Sequence, residues 1–171
     1  MAVAVVGLLM AGCSSGSASP TSTTEAPQPA GPRPSPIARL VCQDEARQDI
    51  ASALGEPAVV SSPTWQDHVY SCRYRYPTGA MQLSIKELSS WQQTTAYFNG
   101  LAARMGKARY LQGLGQGAFQ TTDGSVVVRK DWKVLLVDTA GLPAQFGVPP
   151  TSSGDVAVTV GDIILGCWAG D

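Results

Sequence analysis

Between residues 43 and 54 the apolar positions Ala46, Ile50, Ala53 and Leu54 recur at helical spacing, behind Asp44 and Glu45. Acidic residues suit the positive end of a helix, and Gly55 and Pro57 stop the pattern, so it predicts a helix over 43–54. The period then changes to two. Tyr70, Cys72, Tyr74 and Tyr76 alternate with Ser71, Arg73 and Arg75; Met81, Leu83 and Ile85 alternate with Gln82, Ser84 and Lys86. Two half-buried strands joined as a hairpin follow from this. A two-residue turn at Thr78-Gly79 keeps one face apolar and pairs Tyr76 with Met81, Tyr74 with Leu83 and Cys72 with Ile85.

Helical spacing returns over 90–105, where Trp91, Thr95, Phe98, Leu101, Ala102 and Met105 form one stripe, read as core packing. Ser89 and Ser90 each have a Gln three residues on, a capping-box spacing, and Gly106 ends the run. A meander of three strands follows: 118–122, an Asp123-Gly124 turn, 125–130, a tight turn near Asp131-Trp132, then 134–138. Tracing it places Phe119, Val128 and Leu135 in one row and Thr121, Val126 and Val137 in the next, on a core face. Gln120, Val127 and Leu136 fall on the opposite face.

In the last segment Val156, Val158 and Val160 alternate like a strand. Val156, Val160, Ile163, Ile164 and Cys167 also fit one helical face for over three turns, with Ser152 or Ser153 as N-cap. The helix is the reading adopted. The predicted order is α-β-β-α-β-β-β-α: a single α+β domain over 37–171, an antiparallel sheet with helices packed on it.

Ahead of that domain the composition changes. Residues 1–12 are apolar and end in Leu8-Leu9-Met10-Ala11-Gly12, followed by Cys13. An apolar stretch, small residues and a cysteine form a lipobox, which makes 1–12 a lipoprotein signal peptide and Cys13 the lipidated first residue of the mature protein. No Lys or Arg opens the signal, which a start codon placed too far downstream explains. Residues 1–12 are too few to span a bilayer, which needs roughly 20 apolar residues. Each buried acyl CH₂ contributes roughly 0.8 kcal/mol, so two or three chains anchor durably. Residues 13–36 then read as the lipidated cysteine and a disordered tether. They are rich in Ser, Thr, Pro, Ala and Gly, with only Glu25 and Arg33 as charges. Extended, 23 such residues at roughly 3.1 Å each would reach about 70 Å.

The lipobox, the Ser/Thr/Pro tether and four further motifs together resemble a broad group of uncharacterised actinobacterial lipoproteins carrying a domain of unknown function. Those motifs are Cys42 before a helix ending Ala53-Leu54-Gly55, the strand Cys72-Arg73-Tyr74, the Gly-Leu-Gly-x-x-Ala-Phe segment at 113–119, and the ending Ile164-Leu165-Gly166-Cys167-Trp168. The resemblance covers most of the domain. It implies an anchored location on the outer face of the cell membrane and transfers no catalytic residue.

With Cys13 lipidated, Cys42, Cys72 and Cys167 remain in an oxidising compartment, where three cysteines allow three pairings and leave one thiol. Cys42–Cys72, tying the first helix to the first hairpin, is the expected pair, and the resemblance supports it. Cys167 is then a small buried apolar residue, and Cys42–Cys167 is the alternative.

Candidate chemistry is sparse. The net charge of −1 excludes the phosphate-neutralising field of a nucleic-acid binder. His68, the one histidine, stands beside Asp67 in a polar loop without a nucleophile elbow or a zinc-binding spacing. Gly113, Gly115 and Gly117 alternate but no helix opens after them, so they read as a turn rather than a phosphate loop. Asp138 has no second carboxylate near it in sequence. Arg104, Lys107 and Arg109 cluster after the second helix and are candidates for anionic headgroups; Trp132, between Lys130 and Lys133, is a candidate partner anchor. The expectation is a non-catalytic binding or interaction module, taking an envelope protein or a small apolar ligand, with no metal and no cofactor. The alternatives are an envelope enzyme gathering His68 with Asp67 or Asp138, and an accessory or sensor subunit of a membrane complex.

Overall fold

In the computed structural model, which describes residues 26–168, a short helix α1 (Pro36–Arg39) and a 3-10 turn (Leu40–Cys42) precede α2 (Asp44–Leu54). Gly55 ends α2 in the left-handed conformation. Two edge strands follow, β1 (Val59–Val60) and β2 (Thr64–Gln66), then the hairpin β3 (Val69–Tyr76) and β4 (Gly79–Glu87). Helix α3 (Trp91–Met105) leads to β5 (Lys107–Leu111), β6 (Gly117–Thr121), β7 (Val126–Lys130) and β8 (Lys133–Asp138). A small ribbon, β9 (Gln145–Phe146) with β10 (Thr151–Ser152), leads into α4 (Ser153–Gly166), capped by Ser152.

Eight strands form one antiparallel sheet in the order β1-β3-β4-β8-β7-β6-β5, with β2 also on β3. Its first face carries α1, α2 and α4. There Tyr74, Met81, Leu83, Ile85, Val126, Val128, Leu135 and Val137 pack with Ile50, Val156, Val160 and Ile164. Its second face carries α3, whose Phe98 and Leu101 meet Phe119, Val127 and Val134. The disulfide Cys42–Cys72 joins the 3-10 turn to β3, with Cα atoms 5.9 Å apart.

Three expectations are corrected. The first hairpin turns at Pro77-Thr78, so Tyr74 pairs with Met81 and Cys72 with Leu83. Pro77 presets the negative φ wanted at the first central position of a type I turn, neither Pro77 nor Thr78 has a positive φ, and Gly79 is needed in the strand, where a Cβ would overlap the Gly141 carbonyl oxygen. In the second hairpin the loop has three residues, Thr122 to Gly124, with Gly124 at φ 93°. Thr121 N–H donates to the Ser125 carbonyl at 2.9 Å across it. Ala118 therefore pairs with Val128 and Phe119 with Val127, one residue away from the expected register, and Phe119 faces α3. Burial works against ionisation of Asp123 in this loop. Hydrogen bonds from Thr121 Oγ1 and from Ser125 outweigh it and hold the carboxyl below its ordinary range.

The third correction concerns the tether boundary. Ala30 N–H donates to the Leu88 carbonyl at 3.1 Å, and Trp65 Nε1 donates to the Pro32 carbonyl at 3.1 Å. Ser35 N–H donates to Glu87 Oε1 at 3.3 Å, and Ser35 Oγ caps α1. Residues 30–36 thus lie along the domain: backbone groups, not apolar side chains, hold them there, which composition cannot register.

Two tyrosines in the first core are titration-sensitive. Tyr74 is fully buried and donates to the Val41 carbonyl at 2.8 Å; the Tyr76 hydroxyl is buried without an acceptor, its ring 4.6 Å from Phe146. Burial pushes both phenols well above their ordinary value. The unfolded chain then loses these protons first, at a pH of about 10, so stability is full below that pH and falls above it. Urea midpoints measured from pH 8 to 11.5 should drop steeply only above about pH 10. Tyr76→Phe should flatten that drop without loss at pH 7, because it removes an unpaired buried hydroxyl. A Tyr76→Phe profile superimposable on the parent's would contradict this account.

Candidate functional site

Helix α3 covers the second face mainly over β6, β7 and β8. Beside it lies an open groove of about 380 Å³, bounded by Thr95, Phe98 and Asn99 of α3 and by Tyr110, Leu111 and Gln112 at the end of β5. Gly117 and Arg129, neighbours across β6 and β7, line it as well.

Arg129 organises this groove. It interrupts the apolar run Val126-Val127-Val128 and projects toward α3. Its Nη1 donates to Thr95 Oγ1 at 3.1 Å; its guanidinium carbon sits 4.4 Å from the Trp91 ring centre and 5.3 Å from that of Phe98. Cation–π contacts of this kind hold a guanidinium without neutralising it. Its Nε is buried with no acceptor, and no carboxylate among the described residues pairs with the side chain. Gly117 leaves room for it, since a Cβ there would stand 2.8 Å from Nε. Two aromatic residues nearby are strongly exposed, Trp91 at 45% and Tyr110 at 63%. Lys107 Nζ lies 3.9 Å from the centre of the Tyr110 ring, bringing a second cation to the same side.

The residues proposed from sequence are scattered. Cys13 lies outside the described residues, as do 1–12. Arg104, Lys107 and Arg109 are exposed but do not act together: a bulge between Lys107 and Arg109 turns Arg109 to the first face, where its Nε donates to Gln120 Oε1 at 2.9 Å. Trp132 is half-buried in the β7–β8 turn at φ 59°, its carbonyl accepting from Leu88 N–H at 2.9 Å. Lys130 and Lys133 are themselves buried on the first face, so the expected exposed tryptophan between two solvated lysines does not form. Nor is Cys167 a buried free thiol; it is half-buried at the C-cap of α4, and no described cysteine is free. His68 Nδ1 bonds the Gly31 carbonyl at 3.1 Å, and the ring meets Trp65 edge-on. His68 and Asp138 stand at opposite ends of β4, beside Glu87 and Gln82, about 16 Å apart by strand rise. Asp138 instead accepts from Ala140 N–H at 3.0 Å.

Sequence reasoning passed over Arg129 and assigned Trp91 to the core. The available signal was a cation directly after three consecutive valines, a position that demands a partner when half-buried. No group of three or more metal-ligating side chains stands together among the described residues, and no helix among them is long and apolar enough to cross a membrane. No protein-family model matches the chain, and neither a curated protein nor a solved structure shows significant similarity to it.

Proposed function

We propose that this chain is a lipid-anchored binding module on the outer face of a cell membrane, with the Arg129 groove as its binding site. The groove carries the reading. It is concave and polar, and its lining contains no histidine, cysteine or carboxylate to serve as nucleophile or general base. A surface of that kind holds a ligand without transforming it.

The anchor rests on Ala11-Gly12-Cys13 and the Ser/Thr/Pro-rich stretch behind it, and the resemblance to actinobacterial lipoproteins agrees with it. With residues from Ala30 onward held by the domain, 16 residues remain as spacer, a reach of about 50 Å if extended. The groove then samples the layer just outside the membrane.

The test is native mass spectrometry of the protein extracted in mild detergent from its own membranes. The expected species begins at Cys13, carries diacylglyceryl mass, and retains a small-molecule adduct that Arg129→Gln removes. Lipidation engages the Cys13 sulfur as a thioether, so an intact 1–12 segment or a disulfide through Cys13 would overturn the anchor. A lipidated species that never carries a small molecule would overturn the binding module.

A further inference from the structure

Building on the binding reading, we infer that the Arg129 groove takes a carboxylate-bearing sugar. The electrostatics come first. Arg129 lines the groove, Lys107 stands against the ring of Tyr110, which also lines it, and no Asp or Glu is in the lining. A guanidinium that is half-desolvated, held in place by Trp91 and Phe98 and left without a carboxylate is a preformed anion site. Its planar fork matches a carboxylate better than a point charge does.

The remaining lining specifies the body of the ligand. Asn99 and Gln112 are exposed carboxamides, each with donors and an acceptor, and Thr95 adds a hydroxyl. Such groups satisfy the alternating donors and acceptors of sugar hydroxyls. Tyr110 in the lining and Trp91, which stacks on Arg129, are large exposed rings, surfaces onto which the C–H face of a pyranose packs. An apolar ligand would leave these amides and the guanidinium unpaired. A peptide adding as a strand to the exposed β5 edge would meet the bulge between Lys107 and Arg109, which breaks the hydrogen-bonding register. The groove volume, about 380 Å³, lies at the small-ligand end of the usual pocket range of roughly 300–1,000 Å³.

The experiment titrates the detergent-solubilised full-length protein with D-glucuronate, D-glucose, inorganic phosphate and N-acetyl-trialanine, reading tryptophan fluorescence, since Trp91 stacks on Arg129. Glucuronate should bind at least about tenfold more tightly than glucose, a difference carried by the charge-assisted fork. Arg129→Gln should erase that difference. Asn99→Ala, an exposed helix position that leaves the fold intact, should weaken both sugars alike. Equal affinity for the two sugars would overturn the carboxylate assignment while leaving the groove a binding site. Phosphate or the peptide binding as well as glucuronate would overturn the acidic-sugar class in the same way. Silence toward all four probes would overturn the inference; if the membrane-extracted protein also carried no adduct, the binding reading would fall with it.

Discussion

Replacing both Cys42 and Cys72 by Ala is expected to lower stability by about 3–4 kcal/mol, the chain-entropy value for closing a loop of this length. The bond joins positions 30 residues apart and restrains the unfolded chain over the whole of α2, β1 and β2. Its native geometry also matters. Val41, next to Cys42, is fully buried, and its carbonyl accepts from the Tyr74 hydroxyl on β3, so the 3-10 turn is fixed to the sheet at two adjacent points. Loss of the covalent point should leave the hydrogen bond and the first core in place, giving a folded but weakened domain. Urea unfolding monitored by circular dichroism should show a lower midpoint. A larger dependence on denaturant should accompany it, because the uncrosslinked chain exposes more surface when unfolded. Unfolding the parent with and without dithiothreitol should shift the midpoint in the same direction and by at least as much, because the reductant opens every disulfide of the chain. A midpoint that ignores reductant would show that the pairing contributes nothing to the fold in solution.

Helices α2, α3 and α4 were legible in the sequence because each announces itself locally; the short α1 was not read, and the pairing of Cys42 with Cys72, 30 residues apart, was one of three that the cysteines allowed and leaned on the resemblance. Helix α2 has its acidic first turn and Gly55; α3 has Ser90 accepting from Gln93 N–H; α4 repeats apolar residues at helical spacing behind Ser152. Strand register was less legible, and the two errors differ in kind. The hairpin β3–β4 is displaced by two residues, which keeps every side chain on its face, so the hydrophobic pattern is blind to it and the turn chemistry of Pro77 decides. Strand β6 is displaced by one, which exchanges its faces. Here Phe119 and Ala118 are both apolar, and each face of the sheet is covered, so alternation carries no preference. Strand β5, with Lys107, Ala108, Arg109 and Tyr110 all exposed, has no buried face to pattern it and was read only as a cluster of cations after the second helix. The groove was illegible for a further reason: Trp91, Tyr110 and Arg129 lie on three elements, and the covered second face that joins them exists only once the β6 register is known.

That register carries the other large prediction. Phe119→Ala should destabilise the domain by about 3–5 kcal/mol, the usual cost of emptying a fully buried phenylalanine site. Size alone would not identify the face, since a phenylalanine buried among Val156, Val160 and Ile164 would cost as much. The partner identifies it. Phe119 meets Phe98 edge-on with ring centres 4.9 Å apart, so Phe98→Ala and Phe119→Ala should couple by about 0.5–1.5 kcal/mol in a double-mutant cycle. Phe119→Ala and Ile164→Ala, on opposite sides of the sheet, should add independently. The reverse outcome, with coupling to Ile164 and none to Phe98, would put Phe119 in the α4 core and restore the register read from alternation. It would also remove the support under α3 that holds Trp91 and Thr95 against Arg129. Hydrogen exchange gives the local readout: Phe119→Ala should speed exchange in α3 more than in α4, because the lost ring supports only the helix on its own face.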